Sequence, residues 1–243
     1  MKLLIVRHGD PDYDIDSLTE KGWKEVEYLS QKLSKLDVKA FYVSPLGRAK
    51  DTAAPTLKKM GRTATECEWL EGISLSDLAP DVKDKKIIAW DWLPQDWMAD
   101  ERFFQYDHWF ENEAMQEGHV KEEYDRVIEE FDKLLVKHGY ERKGHYYKVN
   151  EENNDTIIFF CHFGLECVLL SHLLNISPMV LWHGCVAAPS SVTTLTTEER
   201  RQGIAAFRMS SFGDISHLYA NNEPPAFAAR FCEAYGNKDQ RHD

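Results

Sequence analysis

The sequence predicts an α/β fold, a three-layer α/β/α sandwich in which helices cover both faces of a mostly parallel sheet. Short apolar runs with strand character alternate along the chain with amphipathic segments of helical period. The 243 residues suffice for one large domain that carries an insertion. An aromatic-rich segment without a regular period is expected to be this insertion, a cap at about 74–120 within a single domain spanning 1–243.

The first half of the chain repeats a strand followed by a helix. Thr19 has the hydroxyl that suits an N-cap, and the helix after it has its apolar positions at Trp23, Val26, Leu29 and Leu33. The predicted elements are a strand at 3–6, a loop at 10–17, a helix from Thr19 to about 36, a strand at 40–43, a helix at 49–60 and a weakly alternating third strand at 63–70.

The second half resumes with a charged amphipathic helix and a central strand. The run at 156–161 is strongly apolar and β-branched at its start, which is typical of a buried strand. The predicted elements are a helix at 121–138, a polar connector at 139–154, a strand at 156–161, a helix at 164–174, a hairpin of strands at 190–195 and 204–209, and a helix at 225–235.

The expected cap has two interpretations. It could be a small satellite core that covers one edge of the sheet. It could also be a lid whose aromatic wall forms the pocket for a leaving group and excludes water. Its large aromatic residues are Trp90, Trp92, Trp97, Phe103, Phe104, Tyr106, Trp109 and Phe110.

Charge and composition narrow the classes of partner. A formal net charge of −12 repels polyanions, so we expect neither nucleic acid nor an anionic membrane surface as a partner. The apolar run after Met1 is too short for a signal peptide, and no stretch approaches membrane-spanning length, which predicts a soluble cytoplasmic protein. The sequence leaves the oligomeric state open.

The cysteines indicate reduced thiols and no metal centre. There are 5 of them, an odd number, with no Cys-x-x-Cys pair and no zinc-like spacing to histidine. His172 and His183 likewise lack partners at ligand spacing. A catalytic thiol at Cys161 or Cys167, which flank His162, is less favoured than a buried structural one.

Polar residues follow the ends of several predicted strands. They are Arg7-His8-Gly9, the segment from Ser44 to Arg48, and His162. Because ligands of open α/β sheets bind beyond the carboxyl ends of strands, these segments are expected to converge. Two arginines and two histidines beside helix N-termini suit a phosphate, and a histidine aimed at phosphorus can act as a covalent nucleophile.

These residues also form motifs. The run Leu-Ile-Val-Arg-His-Gly at the start and the later Ser-Pro-Leu-Gly-Arg-Ala resemble the histidine phosphatase superfamily, also called phosphoglycerate mutase-like. The segments 18–22 and 213–218 and the later His162 extend the resemblance over most of the chain. The aromatic-rich insertion is unmatched.

The resemblance implies a role for each matching residue. His8 would be the phosphorylated nucleophile, Arg7 and Arg48 would bind the phosphoryl oxygens, and His162 would bind them too and stabilise their growing charge. The general acid would be a glutamate after the third strand, Glu71 or, as the alternative, Glu68. The same glutamate would afterwards activate water. The family's chemistry needs no metal and no cofactor, and its substrate would be a small phosphate ester.

The chain departs from the family pattern at two positions. Phe163 stands where glycine is usual after the second histidine, which predicts altered crowding with catalysis retained. Asp14 stands where many members have asparagine, and we expect its carboxylate to face solvent. Ser44 is interpreted as a turn residue, and His217 either contributes to the site or stabilises the fold.

The predicted function is therefore metal-independent hydrolysis of a small phosphorylated metabolite through a phosphohistidine intermediate. A phosphoglycerate-type mutase is the first alternative and would respond to a bisphosphoglycerate. A non-catalytic module that binds phosphate or a phosphoprotein would bind without turnover, and a metal-dependent hydrolase would lose activity with a chelator. The natural substrate cannot be read from these motifs.

Overall fold

The computed structural model describes residues 1–72, 76–77, 87–226 and 236. Its strands are β1 (Lys2–Arg7), β2 (Pro11–Asp12), β3 (Ser17–Leu18), β4 (Ala40–Val43), β5 (Thr65–Glu66), β6 (Ser76–Asp77), β7 (Ile87–Ile88), β8 (Tyr140–Lys143), β9 (Tyr146–Val149), β10 (Thr156–Cys161), β11 (Val192–Arg201) and β12 (Ile204–Asp214). Its α-helices are α1 (Glu20–Leu33), α2 (Gly47–Met60), α3 (Pro94–Trp97), α4 (Glu113–Glu117), α5 (Val120–Lys137), α6 (Phe163–Leu174), α7 (Pro178–Gly184) and α8 (Ser216–Tyr219). Short 3₁₀ helices lie at Glu68–Glu71, Glu101–Phe104 and Trp109–Glu111.

A mixed sheet of 8 strands, in the order β5-β4-β10-β1-β11-β12-β9-β8, is the centre of the fold. The strands β5, β4, β10 and β1 pair in parallel. The antiparallel strands β11, β12, β9 and β8 extend the sheet beyond β1. The predicted α/β class, with helices on both faces of a parallel centre, is confirmed.

The alternation of side chains along β1 builds a core on each face of the sheet. Leu4 and Val6 pack with residues of α1 and α2, whereas Leu3 and Ile5 pack with residues of α5, α6 and α7. All four side chains are at most 4% exposed. Burying an aliphatic side chain of this size contributes about 1.5–3 kcal/mol, so the central strand is firmly held between two helical layers.

Aromatic residues of the expected cap join the larger of these two cores. Trp92, Trp97, Phe103 and Trp109 belong to the same apolar cluster as the strand residues of β1 and β10. The ring of Trp109 meets that of Trp182 on α7 edge-on at 6.1 Å. In the described part of the segment these side chains therefore pack onto the main core rather than forming a separate one.

Most predicted elements are confirmed, and the strands at 40–43 and 156–161 match residue for residue. Trp23 lies outside the core that α1 helps to form, with 43% of its surface exposed. The third strand is shorter than predicted, only Thr65–Glu66, because the chain turns into a 3₁₀ helix at Glu68.

The predicted polar connector at 139–154 is wrong, because this segment forms the hairpin β8-β9 at the edge of the sheet. Gly139 and Gly144 have positive φ and make the turns, and Tyr140 and Tyr147 are buried. The predicted helix at 225–235 lies outside the described residues apart from its first two. No helix within the described ranges is long and apolar enough to cross a bilayer.

A buried carboxyl group lies on the inner face of α1. Glu25 is 0% exposed, and its Oε2 accepts a hydrogen bond of 2.9 Å from the Asp10 N–H. Its Oε1 has no hydrogen-bond partner among the described residues. Burial raises the pKa of Glu25 from an ordinary 4.5 to about 7.

This carboxyl group makes the stability of the protein depend on pH. Because the folded pKa lies above the unfolded one, the free energy of unfolding falls as the pH rises from 4.5 to about 7. Glu25→Gln should therefore be more stable than wild type at pH 8 by up to about 3 kcal/mol, with the difference largely lost near pH 5. Urea unfolding at both pH values measures this.

Glu27→Gln is the matched control on the same helix. Glu27 pairs at the surface with Lys59, at 2.6 Å, so its replacement should change stability by less than about 1 kcal/mol. A difference between Glu25→Gln and wild type that is the same at both pH values would contradict the raised pKa.

Candidate active site

The parallel register of the central strands brings the predicted segments to one edge of the sheet. Arg7 pairs with Cys161, and Phe160 pairs with Val43, so the residues that follow these strands lie side by side. The His8 N–H donates to the Cys161 carbonyl at 2.9 Å, and the Ser44 N–H donates to the Phe160 carbonyl at 3.0 Å. The rings of His8 and His162 are 5.2 Å apart between centroids.

His8 is buried and held in one tautomer. Its Nδ1 lies 2.8 Å from the Gly9 carbonyl oxygen, which can only accept, so Nδ1 carries the proton and Nε2 keeps its lone pair. Burial lowers the pKa of His8 well below its ordinary value, and the charge of Arg7 lowers it further. Near neutral pH the side chain is thus a neutral imidazole whose Nε2 lone pair can act as a nucleophile.

The backbone around His8 is fixed by buried side chains. The Gly9 N–H donates to Thr52 Oγ1 at 2.9 Å, and a Cβ on Gly9 would lie 3.0 Å from a methyl group of Val26. On the other side the Ser190 N–H donates to the His8 carbonyl, and Ser190 Oγ lies 3.0 Å from His217 Nε2. His217 therefore supports the loop that holds the His8 carbonyl.

Both arginines are tethered through Nη1. Arg7 is 2% exposed, and its Nη1 donates to the Ala187 carbonyl, while the Phe163 ring lies 5.8 Å from its guanidinium carbon. Arg48 donates from Nη1 to Asp16 Oδ1 at 2.5 Å. Since Nε–H points away from Nη1, the tether leaves the Nε–Nη2 edge of each guanidinium for another acceptor. That edge matches two oxygens of a phosphate.

The second histidine is bound to a serine that the sequence analysis interpreted only as a turn residue. His162 Nε2 lies 2.8 Å from Ser44 Oγ, which also accepts from the Leu46 N–H at 3.3 Å. Burial lowers the pKa of His162 to about 3, so the ring is neutral. If the Ser44 hydroxyl donates to Nε2, the ring proton is on Nδ1, and Nδ1 can donate to a ligand.

A cavity of about 240 Å³ opens beside Arg48 and His162. Glu71 lines it, whereas Glu68, at the start of the same 3₁₀ helix, does not; both glutamates are exposed. Asp14 is exposed, and Asp16 is the carboxylate that reaches Arg48. The described lining consists of Leu46, Arg48, Glu71, Gly72, Ile88, Trp90, His162, Gly164 and Leu165.

A larger hollow, of about 700 Å³, has Met1 in its lining. It lies at the amino end of β1, and His8 follows the opposite end.

Buried nitrogens without partners indicate what the site binds. Arg7 Nε, Arg48 Nε and His162 Nδ1 are buried and have no hydrogen-bond partner among the described residues. Because buried polar groups are nearly always hydrogen-bonded, several such nitrogens together favour an anion with several acceptor oxygens. A phosphoryl group has this chemistry.

The remaining titratable candidates have structural partners. His172 Nε2 lies 2.9 Å from Asp132 Oδ2, and His183 Nδ1 donates to the Met179 carbonyl at 2.8 Å. In the described ranges no group of three or more His, Cys, Asp or Glu side chains is arranged to hold a metal ion. Burial raises the pKa of Cys161 and Cys167 well above the ordinary value, so both are protonated thiols.

Comparison with known families agrees with this geometry. The model of the histidine phosphatase superfamily (branch 1) matches residues 3–209. The chain belongs to the histidine phosphatase superfamily. The match includes the segments that hold Arg7, His8, Arg48 and His162.

The proteins that this chain resembles are named for different activities. A 2,3-bisphosphoglycerate-dependent phosphoglycerate mutase from Thermoplasma acidophilum is 37% identical over 60 residues, which is 21% of this chain and 30% of the mutase. The match thus spans under a third of that relative. A phosphoserine phosphatase from Entamoeba histolytica has a TM-score of 0.56 and 17% identity, covering 89% of this chain and 98% of its own.

A mycobacterial glucosyl-3-phosphoglycerate phosphatase has a TM-score of 0.56 and 18% identity, covering 87% of this chain and 98% of its own. A mycobacterial hydrolase has a TM-score of 0.59 and 18% identity, with 88% and 98% covered. At this identity the solved structures support the fold alone.

Sequence reasoning missed two contacts in this histidine phosphatase site. Asp16 holds Arg48 and also accepts from the Gly47 N–H at 2.6 Å, and a Cβ on Gly47 would lie 2.1 Å from the Asp16 carbonyl oxygen. Ser44 binds His162. Ser44 begins the Ser-Pro-Leu-Gly-Arg-Ala motif and Asp16 lies in the predicted loop at 10–17, but nothing local in the sequence indicates their partners.

The tethered Arg48 predicts selective binding of inorganic phosphate. Arg48→Lys removes the Nε–Nη2 edge and should weaken phosphate binding by about tenfold or more at fixed salt, as measured by calorimetry.

Arg62→Lys is the control, because Arg62 donates to the carbonyls of Val38 and Lys39 outside the site. It should bind phosphate like wild type. Equal affinity of wild type and Arg48→Lys would show that Arg48 does not bind the anion.

Proposed function

We propose that this histidine phosphatase superfamily member hydrolyses a small phosphate monoester by transferring the phosphoryl group first to His8 and then to water. The observation that supports this most strongly is the free Nε2 of a neutral His8 beside buried nitrogens that lack partners. A single displacement is thereby divided into two, each with a good nucleophile.

In the first step His8 Nε2 attacks phosphorus in line with the leaving oxygen. Arg7 and Arg48 hold the phosphoryl oxygens, and His162 donates from Nδ1 as their negative charge grows. Glu71, which lines the cavity, donates a proton to the departing alcohol. The bond from phosphorus to the ester oxygen breaks as the bond to Nε2 forms.

In the second step water attacks the phosphohistidine. Glu71, now a carboxylate, takes a proton from the water, and the phosphorus–nitrogen bond breaks to return His8. Orthophosphate leaves the site where Arg7, Arg48 and His162 held it. This sequence uses only side chains of the protein.

Several features of the proposal rest on the sequence. They are the single domain with a cap at about 74–120, the cytoplasmic location and the metal-independent mechanism. The phosphatases of similar fold act on small phosphate esters, as their names state, which supports a substrate of this class.

The proposed intermediate makes a direct prediction. Wild type incubated with a labelled phosphate ester and excess chelator should release phosphate and, when quenched in alkali, carry an acid-labile label. His8→Ala should carry no label, and its turnover should be lower than that of wild type by at least about a thousandfold.

His145→Ala, at an exposed position on the β8-β9 hairpin, is the control and should retain both. Label retained by His8→Ala would contradict the assignment. Loss of turnover with chelator would favour a metal-dependent hydrolase. Phosphate binding without turnover would favour a non-catalytic binding module.

A mutase is the second candidate, favoured by the 37% identity to the Thermoplasma acidophilum enzyme over its matching segment. A mutase would require 2,3-bisphosphoglycerate and interconvert phosphoglycerates with little release of orthophosphate. The proposed hydrolase releases orthophosphate whether or not the bisphosphate is present.

The contact between Ser44 and His162 predicts how the second histidine acts. If Ser44 fixes the proton on Nδ1, Ser44→Ala should lower kcat by about tenfold or more while KM changes less. Ser44→Thr keeps the hydroxyl and should restore much of the rate.

Long-range nitrogen–proton correlation spectra report the tautomer directly. They should show the His162 proton on Nδ1 in wild type and a mixture in Ser44→Ala. A wild-type proton on Nε2 would contradict the proposed donation by His162.

A further inference from the structure

The cavity beside His162 is lined by both polar and apolar side chains. Arg48, Glu71 and His162 are the groups that the proposed function uses. The rest of the described lining consists of the apolar side chains Leu46, Ile88, Trp90 and Leu165, with two glycines. The phosphoryl chemistry therefore accounts for the polar side chains, and the apolar side chains remain for contact with the ester group.

Trp90 is held in the apolar part of the lining by close packing. Its benzo-ring atoms lie 2.6–2.8 Å from the position that a Cβ on Gly164 would occupy, so only a glycine fits beneath it. Trp182 donates from Nε1 to the Gly164 carbonyl at 3.0 Å, and its ring lies 5.8 Å from that of Trp90. The Trp90 indole is thus fixed against Gly164, which lies at the start of α6, two residues after His162.

The size and charge of the cavity limit the ester group further. Its volume, about 240 Å³, is below the roughly 300–1,000 Å³ of pockets for drug-sized ligands, so the group next to phosphorus is small. A carboxylate on that group would lie near Glu71 and against an apolar wall, where it would lose hydration without a partner. An aromatic ring would instead bury its face on the indole.

We propose that the leaving-group side of this site binds a flat, uncharged fragment of about one ring against Trp90, so that the substrates are small aryl-alkyl or similar apolar phosphate monoesters. This inference rests on the proposed phosphatase function. Trp90 would then determine specificity without taking part in phosphoryl transfer.

The test compares benzyl phosphate with glycerol 1-phosphate and O-phosphoserine. All three are esters of primary alcohols, so differences in kcat/KM report binding of the leaving group more than its intrinsic reactivity. Wild type should prefer benzyl phosphate roughly tenfold or more. Trp90→Ala should lose most of that preference, and Trp90→Phe, which keeps a smaller ring, should lie between.

Two controls separate specificity from damage. The inhibition constant of orthophosphate should be unchanged in Trp90→Ala and Trp90→Phe, because the phosphate groups are intact. Trp23→Ala, on the outer side of α1 where Trp23 is 43% exposed, should match wild type with all three esters.

The outcomes are distinct. If wild type turns over the esters without preferring benzyl phosphate, the apolar leaving-group site is overturned and the proposed phosphatase function stands. The same holds if both Trp90 variants lose kcat/KM equally for all three esters. Wild type that turns over none of the three, nor any other phosphate ester, overturns the proposed function and this inference with it.

Discussion

The parallel pairing of β10 with β1 on one side and β4 on the other is the constraint on which the site depends. It aligns the ends of three strands, so that His8, His162 and Ser44 emerge next to one another from a rigid edge. The alternating apolar residues that fix this register also form the two cores. A shift of one residue would exchange the faces of a strand and separate the groups, so packing enforces the geometry of the site.

That geometry buries a guanidinium group and several polar nitrogens, and burying them is unfavourable for folding. Arg7 is buried in an acidic protein, and burial lowers the pKa of Arg7, His8 and His162. The unpartnered nitrogens cost free energy in the absence of an anion, as buried polar groups do. In the proposed mechanism an oxyanion supplies the missing acceptors, and this cost in the free protein becomes a source of affinity and of transition-state stabilisation. Asp16 and the Ala187 carbonyl orient the guanidiniums in advance.

The segments that carry the site residues were predictable from the sequence, because the signal for each of them is local. A buried strand appears in the sequence as an apolar run, and the polar residues that follow it lie at the end of the strand. This pattern identified the segments of His8, Arg48 and His162. The contacts between them were not predictable. Ser44 and His162 are 118 positions apart, and Arg48 and Asp16 are 32 apart, so no periodicity or turn signal links them. The β8-β9 hairpin was missed because each of its strands buries little, and a polar edge strand resembles a loop.

The central claim is that His8 is aligned for attack on a phosphoryl group held by Arg7, Arg48 and His162. A crystal structure of the wild type with orthovanadate, an analogue of the transition state, tests it most directly. The account predicts vanadium bonded to His8 Nε2, with Arg7 Nε, Arg48 Nε and His162 Nδ1 each about 2.7–3.2 Å from a vanadate oxygen. Vanadate bound away from His8, or bound there while these nitrogens point elsewhere, would contradict it.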